Sequence, residues 1–279
     1  MVLTSDDITN ATEIGSNAFR QTKVTGNISL PHLTSLGVEA FRDCKPLTSI
    51  DLTGSTINSI PNMAFYGCTS LTSITLPSTV TQLGENAFAA NPCSVSQINI
   101  NWNNIVSIGE ACFIKHPAWN FVLNLPNVTY LGKNAIGNRN GRSTIRQVYL
   151  PKIAHTPTGA YYVNFVYFEG AFGGMDCDLI YLRDIEDLYP GDFGYTNCVA
   201  LVINNTTPPV WKNKDGMADS AVTNPAWDKS RVFADSDITN IYVPDSAVTT
   251  YQNDANWSSL ANKIQPLSQL TKVQTEADL

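Results

Sequence analysis

The sequence predicts a β-rich α/β solenoid in which short repeats stack into a single parallel sheet of about nine short strands, followed by a C-terminal capping segment with a short helix. Two observations lead to this fold class. A six-residue phrase recurs through the first two thirds of the 279 residues, and a strand-like apolar phrase alternates with it. One repeat of this length cannot bury its own apolar face, so neighbouring repeats must stack.

The six-residue phrase reads apolar, Gly, two variable residues, Ala, Phe. It appears as IGSNAF at 14–19, as LGVEAF at 36–41 and as LGENAF at 83–88, with five looser copies. The anchor positions that close the copies are 19, 41, 65, 88, 113, 136, 172 and 193. Six of the seven separations lie near 23 residues, and one is 36. This period lies within the range of 20–29 residues that is typical of leucine-rich repeats.

The second phrase predicts one strand in each repeat. Leu71, Ile74 and Leu76 show its pattern, in which the last two apolar residues alternate with period two and therefore face the core. Proline follows several of these segments, as Pro77 does here, and a residue without an N–H ends a strand ladder. The residue between the two inward positions faces outward, so each strand contributes one member to an outward column.

The segment AFYGCTSLTSITLP at 64–77 combines both phrases. In this it resembles the BspA-like leucine-rich-repeat family of bacterial and protist proteins, over about residues 12–204 and again at 241–244. The resemblance implies a solenoid, and it implies surface adhesins and host-binding proteins as relatives. It therefore also implies an extracellular or cell-surface location, although the N-terminus shows neither the basic nor the apolar region of a signal peptide.

The ends and interruptions of the repeat predict the domain organisation. Residues 1–244 are expected to form the solenoid, with long insertions near 152–168 and 205–237. Insertions in repeat proteins lie in loops, which either add packing or contribute to a binding face. Residues 245–279 are expected to form a C-terminal cap and tail of the same structural domain, with Trp257, Leu260 and Ile264 on an apolar face.

Composition excludes several classes of partner. The net charge of −7 and the pI of about 4.9 argue against binding nucleic acid, which needs basic patches. No run approaches the roughly 20 apolar residues that span a bilayer, so membrane insertion is not expected.

Residues that could carry chemistry are sparse. The histidines His32, His116 and His155 lie in different repeats without metal-ligand spacing, and the acidic run at 176–187 is typical of a solvated face. We therefore expect no enzyme, no cofactor and no metal site. Five of the six cysteines fall three to five residues after an anchor, which predicts reduced core thiols, with a Cys44–Cys68 disulfide left open. Those five are Cys44, Cys68, Cys93, Cys177 and Cys198, and the sixth, Cys112, replaces the Ala of its phrase.

The outward column supplies the candidate binding residues. It is polar and small in the first repeats and aromatic in the last ones. Because exposed Tyr offers contact area and a hydrogen-bonding tip, we predict a protein- or glycan-binding face there. The predicted site residues in this column are Asn99, Asn124, Tyr149, Tyr181 and Tyr242, and its other members are Ser29, Asp51, Thr75 and Val202. The alternative is that Tyr serves only as a strand former or lies beneath the loops. The predicted function is non-enzymatic binding or adhesion; the alternative is a structural or assembly protein, such as a phage or surface-layer component.

Overall fold

A computed structural model describes residues 5–91, 98–114, 122–136, 143–144, 147–150, 172–213 and 229–270 of the chain. The chain divides into two compact units. Unit 1 comprises residues 1–119 and 134–143, and unit 2 comprises residues 120–133 and 144–279. The insertion predicted near 152–168 and residues 214–228 of the second insertion lie outside the described residues.

Unit 1 is built from short parallel strands of two kinds. Strands β2, β4, β6 and β8 form one sheet, while a second set of strands, each two residues long, pairs as β1 with β3 and as β5, β7 and β9. The elements are α1 (Ser5–Ile8), β1 (Glu13–Ile14), β2 (Gly26–Ser29), β3 (Ser35–Leu36), β4 (Leu47–Asp51), β5 (Ser59–Ile60), β6 (Ser73–Thr75), β7 (Gln82–Leu83), β8 (Ile98–Asn99), a 3-10 helix (Trp102–Asn104) and β9 (Ser107–Ile108).

Unit 2 repeats this plan and ends in short helices. Strands β10, β13, β14, β16, β18 and β19 form its main parallel sheet, and β15 pairs with β17. The strands are β10 (Val122–Asn124), β11 (Tyr130–Leu131), β12 (Ser143–Thr144, at the boundary of the units), β13 (Gln147–Leu150), β14 (Met175–Leu182), β15 (Asp187–Leu188), β16 (Asn197–Ile203), β17 (Val210–Trp211), β18 (Asp237–Val243) and β19 (Ile264–Pro266). The helices are α2 (Val248–Asn253) and 3-10 segments at Lys229–Arg231, Asp245–Ala247, Ser258–Lys263 and Leu267–Gln269.

The predicted parallel solenoid is confirmed, with one addition. Where a repeat is fully described, it contributes two strands: a two-residue strand before the bend and a second strand, longer in β2, β4 and β6, after it. We call this layer of short strand, bend and longer strand a rung. The outward column was expected on one sheet, whereas among the described residues its strands are assigned to two sheets, with β8 in the sheet of unit 1 and β10 in the sheet of unit 2.

The bend explains the Gly and Ala of the six-residue phrase. A Cβ atom added to Gly37 would lie 2.2 Å from the backbone nitrogen of Ser16 in the preceding rung, so only glycine fits. Ala40 is fully buried beneath the same rung. Backbone N–H groups bond along the stack, as when Asn17 donates to the Val38 carbonyl at 2.9 Å. The second variable position of the phrase adopts positive φ, 60° at Asn17, and its N–H donates to the next rung.

The Phe anchors form a stacked spine inside each unit. In unit 1 the Phe19, Phe41 and Phe65 rings follow one another with centroids 5.1 and 5.6 Å apart. Phe88 and Phe113 continue this spine at 5.7 and 5.5 Å. In unit 2, Phe172, Phe193 and Phe233 stack at 5.1 and 4.8 Å. Phe233 is a further anchor that the six-residue phrase does not mark, because no Gly-x-x-Ala precedes it.

The repeated cysteine position is a packing position with a hydrogen bond. The Cys44 thiol donates to the Phe19 carbonyl of the preceding rung at 2.7 Å, and the Cys68 thiol donates to the Phe41 carbonyl at 3.0 Å. Thr196 serves the same purpose in unit 2, where its hydroxyl donates to the Phe172 carbonyl. The prediction of reduced core thiols is confirmed for the five cysteines in the described residues, which are buried and not joined in disulfides. Cys93 lies outside those residues, as do His116 and His155.

The predicted C-terminal capping segment with a short helix is also present. Tyr251 of α2 and Trp257 are fully buried. The indole N–H of Trp257 donates to the Pro209 carbonyl at 2.9 Å, and its ring meets Phe233 edge-on at 5.8 Å. The cap therefore closes the aromatic spine of unit 2 with a ring perpendicular to the stack.

Candidate functional site

In unit 1 the outward column forms an exposed ladder of polar side chains. The Cα register pairs Ser29 with Asp51, Asp51 with Thr75 and Thr75 with Asn99. Asp51 and Asn99 are exposed, while Ser29 and Thr75 are half-buried. Because parallel strands lie about 4.8 Å apart, this ladder offers donors and acceptors at regular intervals on a rigid support. The predicted site residue Asn99 thus lies on a solvent-facing polar surface.

A second polar column runs beside the first. Asn27 pairs in register with Ser49, and Ser49 pairs with Ser73. The Asn27 side-chain oxygen accepts hydrogen bonds from the Ser49 hydroxyl at 2.8 Å and from the Thr48 hydroxyl at 3.1 Å. These bonds fix side-chain orientations across two strands, so the surface is partly preorganised for a ligand. We call the two columns together the polar face of unit 1.

The expectation that Tyr149 and Tyr181 are exposed is wrong. They are only 2% and 8% exposed, and their rings stack with centroids 5.5 Å apart. Both phenol groups are engaged, because Tyr149 donates to the Gln147 side chain at 3.3 Å and Asn204 donates to Tyr181 at 2.8 Å. Neither side chain is available to a ligand in this conformation.

An apolar cluster on the outward face of unit 2 accounts for this burial. Tyr149 and Tyr181 pack there with Leu179, Ala200 and Val202. Four partly buried residues pack against the cluster, namely Val122, Tyr242, Leu267 and Leu270. Two of these come from the C-terminal segment, which therefore helps to cover the sheet. Of the remaining predicted site residues, Asn124 and Tyr242 are half-buried, and Tyr242 belongs to this cover rather than to an open surface.

Sequence analysis missed Leu179 and Ala200, although a signal was present. The runs LIYL at 179–182 and ALVI at 200–203 are apolar at every position. A continuous apolar run indicates a strand that is buried on both faces, whereas alternation indicates one exposed face. Outward positions of unit 1 such as Asn27 and Asp51 keep that alternation.

The side chains of the described residues that could ligate a metal or act as thiol nucleophiles are either dispersed or buried. No group of three or more His, Cys, Asp or Glu side chains is placed to hold a metal ion within the ranges that the structure describes. Burial raises the pKa of the Cys112 thiol, and a hydrogen bond to Cys198, together with burial, raises the pKa of the Cys177 thiol. A protonated thiol is a poor nucleophile.

None of the helices in the described part of the chain is long and apolar enough to cross a membrane.

Comparison with known proteins gives matches among solved structures and to one family model. No curated protein matches the chain. Among solved structures, the pneumococcal vaccine antigen PcpA is similar at 14% identity, with 91% of this chain and 69% of that chain covered and a TM-score of 0.40. A leucine rich cell surface protein from Faecalibacterium prausnitzii A2-165 is similar at 14% identity, with 96% and 84% covered and a TM-score of 0.35.

A leucine-rich repeat protein from Bacteroides ovatus is similar at 13% identity, with 86% of this chain and 69% of that chain covered and a TM-score of 0.28. The family model described as the BspA type leucine rich repeat region matches in six copies over residues 3–119 and 34–161. These ranges include more than half of the 279 residues, together with the Gly, Ala and Phe positions that build the bends of unit 1. This chain belongs to the BspA-type leucine-rich-repeat family.

Proposed function

We propose that this protein is a non-enzymatic binding module of the bacterial cell surface, an adhesin-type protein whose polar face of unit 1 recognises a protein or glycan ligand. The observation that carries the proposal is the in-register column from Ser29 to Asn99, which lies on strands of a rigid sheet. The location rests on the family resemblance, in which surface adhesins and host-binding proteins are typical members.

The chemistry of the polar face suits hydrogen bonding rather than charge recognition. Hydroxyl and amide side chains both donate and accept, so they match the hydroxyl groups of a glycan or the main chain of a protein. Among the described residues of the polar face, Asp51 is the only ionisable side chain, and its carboxylate also accepts from the backbone N–H of Thr53 at 2.8 Å. Such a face binds through several weak contacts at once, and solenoid proteins commonly use extended surfaces in this way.

A glycan-array and matrix-protein screen tests the proposal. The wild-type chain is compared with an Asp51→Ala/Asn99→Ala variant and with a matched control, Gln82→Ala/Ser107→Ala. The control residues lie on β7 and β9, in the other parallel ladder of unit 1. We expect binding by the wild type and the control, with at least a tenfold loss in the Asp51/Asn99 variant. Equal binding by all three proteins would place the ligand elsewhere, and no binding by any of them would contradict the proposal.

A structural or assembly role is the second candidate function. The repeat architecture is compatible with it, because stacked repeats present extended surfaces that can also join another polypeptide. This role predicts a stoichiometric complex with a proteinaceous partner and no response in the glycan screen.

A further inference from the structure

Cys177 and Cys198 lie side by side on neighbouring strands of unit 2. They are paired in register between β14 and β16, and both side chains are buried. Residues paired in this way share a face of the sheet, and their strands lie about 4.8 Å apart. The thiol of Cys177 is hydrogen-bonded to that of Cys198. The two sulfur atoms are therefore direct neighbours across the gap between two rungs.

This pair differs from the cysteines that pack against the bends. Cys44 and Cys68 each follow their Phe anchor by three residues, and each thiol donates to a Phe carbonyl of the preceding rung. In unit 2, Thr196 holds that position, whereas Cys177 and Cys198 follow their anchors by five residues. The thiols of the pair are thus not needed for the hydrogen bond that the bend makes.

Packing alone does not require sulfur at this place in the stack. The next strand, β18, has Ile238 in register with Cys198, and both residues are 2% exposed. An aliphatic side chain therefore fills the same position without a polar atom. Two adjacent thiols fill it as well and add one capability, because they can be joined covalently.

We propose that Cys177 and Cys198 form a disulfide bond that joins the rungs of β14 and β16 when the protein meets a small-molecule disulfide. The spacing of paired parallel strands lies within the Cα separation of about 4.4–6.8 Å that disulfides adopt. One cysteine attacks a sulfur of the oxidant and displaces a first small thiol, and the other then attacks this mixed disulfide and displaces the second. Two protein thiols thus lose two protons and two electrons, and the oxidant becomes two thiols.

The surroundings of the pair make the bond slow to form and well shielded. A hydrogen bond to Cys198 and burial raise the pKa of the Cys177 thiol, and the thiolate is the attacking species. Exchange therefore requires local opening of the two strands. The next residues along them, Asp178 and Val199, are exposed, so the pair lies one residue beneath the surface. Cys44 and Cys68 should stay reduced, since each thiol is directed at a backbone carbonyl.

Mass spectrometry of the full chain tests the proposal. The protein is incubated at pH 8 with oxidised glutathione, in urea below its unfolding transition so that strands open locally. It is then denatured, and the remaining thiols are alkylated with iodoacetamide. We expect an oxidised product in which two of the six thiols resist alkylation. Because Arg183 lies between Cys177 and Cys198, trypsin separates the two cysteines, and the bond appears as one cross-linked pair of peptides.

Thermal unfolding gives a second readout. Without reductant, the oxidised chain should unfold at least about 5 °C above the reduced chain, because a disulfide restrains the unfolded state. Cys198→Ser should show neither the cross-linked peptides nor this rise, whereas the control Cys68→Ser should behave as the wild type does. The comparison of oxidised with reduced wild type needs no variant to fold.

Several outcomes would overturn the proposal. One is a wild-type chain whose six thiols are all alkylated after incubation. Others are a disulfide that involves a different cysteine in place of this pair, or glutathione that stays attached to a single cysteine of it. A rise in the unfolding midpoint that persists in Cys198→Ser would also contradict it.

Discussion

Replacing Phe65 with Ala should remove a large share of the stability of unit 1. Phe65 is fully buried and stacks on Phe41 at 5.6 Å and on Phe88 at 5.7 Å. Truncation of a buried Phe to Ala costs about 3–5 kcal/mol. That cost includes the loss of two ring-stacking interactions, each of which contributes about 0.5–1.5 kcal/mol beyond the burial of apolar area. Because a domain is stable by about 5–15 kcal/mol, the variant should lie close to unfolding.

The matched variant is Phe19→Ala in the first repeat of the same spine. Phe19 is half-buried, and among the described residues it stacks on one ring, that of Phe41. Stability in a solenoid is approximately a sum of nearest-neighbour terms, so losing one neighbour should cost about half as much as losing two, or roughly 1.5–2.5 kcal/mol. Urea unfolding followed by circular dichroism measures both losses. Equal losses, or a loss below about 1 kcal/mol at Phe65, would refute the nearest-neighbour reasoning.

Three further predictions concern local features. Ala111→Gly should increase the free energy of unfolding by up to about 1 kcal/mol, because Ala111 has a φ of 51°, a backbone conformation that costs an L-residue about 1–2 kcal/mol. A lower unfolding midpoint in the variant would contradict this. A native-state thiol assay at pH 8 should label neither Cys44 nor Cys112, since burial raises the pKa of both, while urea should release them; rapid native labelling would refute it. The hydrogen bond with Ser268 lowers the pKa of Asp245, so its stabilising effect is present above the usual value near 4 and is lost as the pH falls through the lowered pKa. Exchange of the Ser268 amide, corrected for intrinsic rates, should therefore accelerate on acidification in the wild type but not in Asp245→Asn.

The bends were predictable because steric limits leave few residues that fit. Gly37 meets the backbone of the preceding rung and Ala40 lies fully buried below it, so their spacing alone indicates stacking. The two-residue strands were not predictable, since a strand such as β5 is too short to show periodicity. The cysteine position could be predicted only in part. A thiol and a hydroxyl make the same bond there, as Cys44 and Thr196 show, so residue type alone did not define it.

The binding face was harder to predict because outward position and exposure are different properties. The period of two placed Tyr181 outward correctly, but exposure depends on what packs over the sheet. Leu267 and Leu270 lie nearly 90 residues further along the chain, and nothing local to Tyr181 indicates that they return to it. Asn99 was placed correctly because its surroundings in unit 1 are polar on the same face. Because residues distant in the sequence can pack over a sheet, the pattern of a strand predicts which way a side chain points but not whether it is exposed.

Removing part of that cover should open the apolar face of unit 2. Leu267 and Leu270 are half-buried against the cluster that contains Tyr149 and Tyr181. A Leu267→Asp/Leu270→Asp variant loses about half the burial of two Leu side chains, roughly 2–3 kcal/mol in total. It should bind the hydrophobic dye ANS more strongly than the wild type. The control Leu260→Asp changes another half-buried Leu of the C-terminal cap, outside the cluster, and should not increase dye binding.

The result bears directly on the two buried tyrosines. If dye binding rises and the variant also gains a ligand that the wild type does not bind, then Tyr149 and Tyr181 form a surface that the C-terminal segment shields. If dye binding rises but the variant gains no ligand, the cluster is a second hydrophobic core, and its function is to pack the sheet of unit 2 against the C-terminal cap. Unchanged dye binding would show that Leu267 and Leu270 are not what keeps water from this face, and the proposed cover would be wrong.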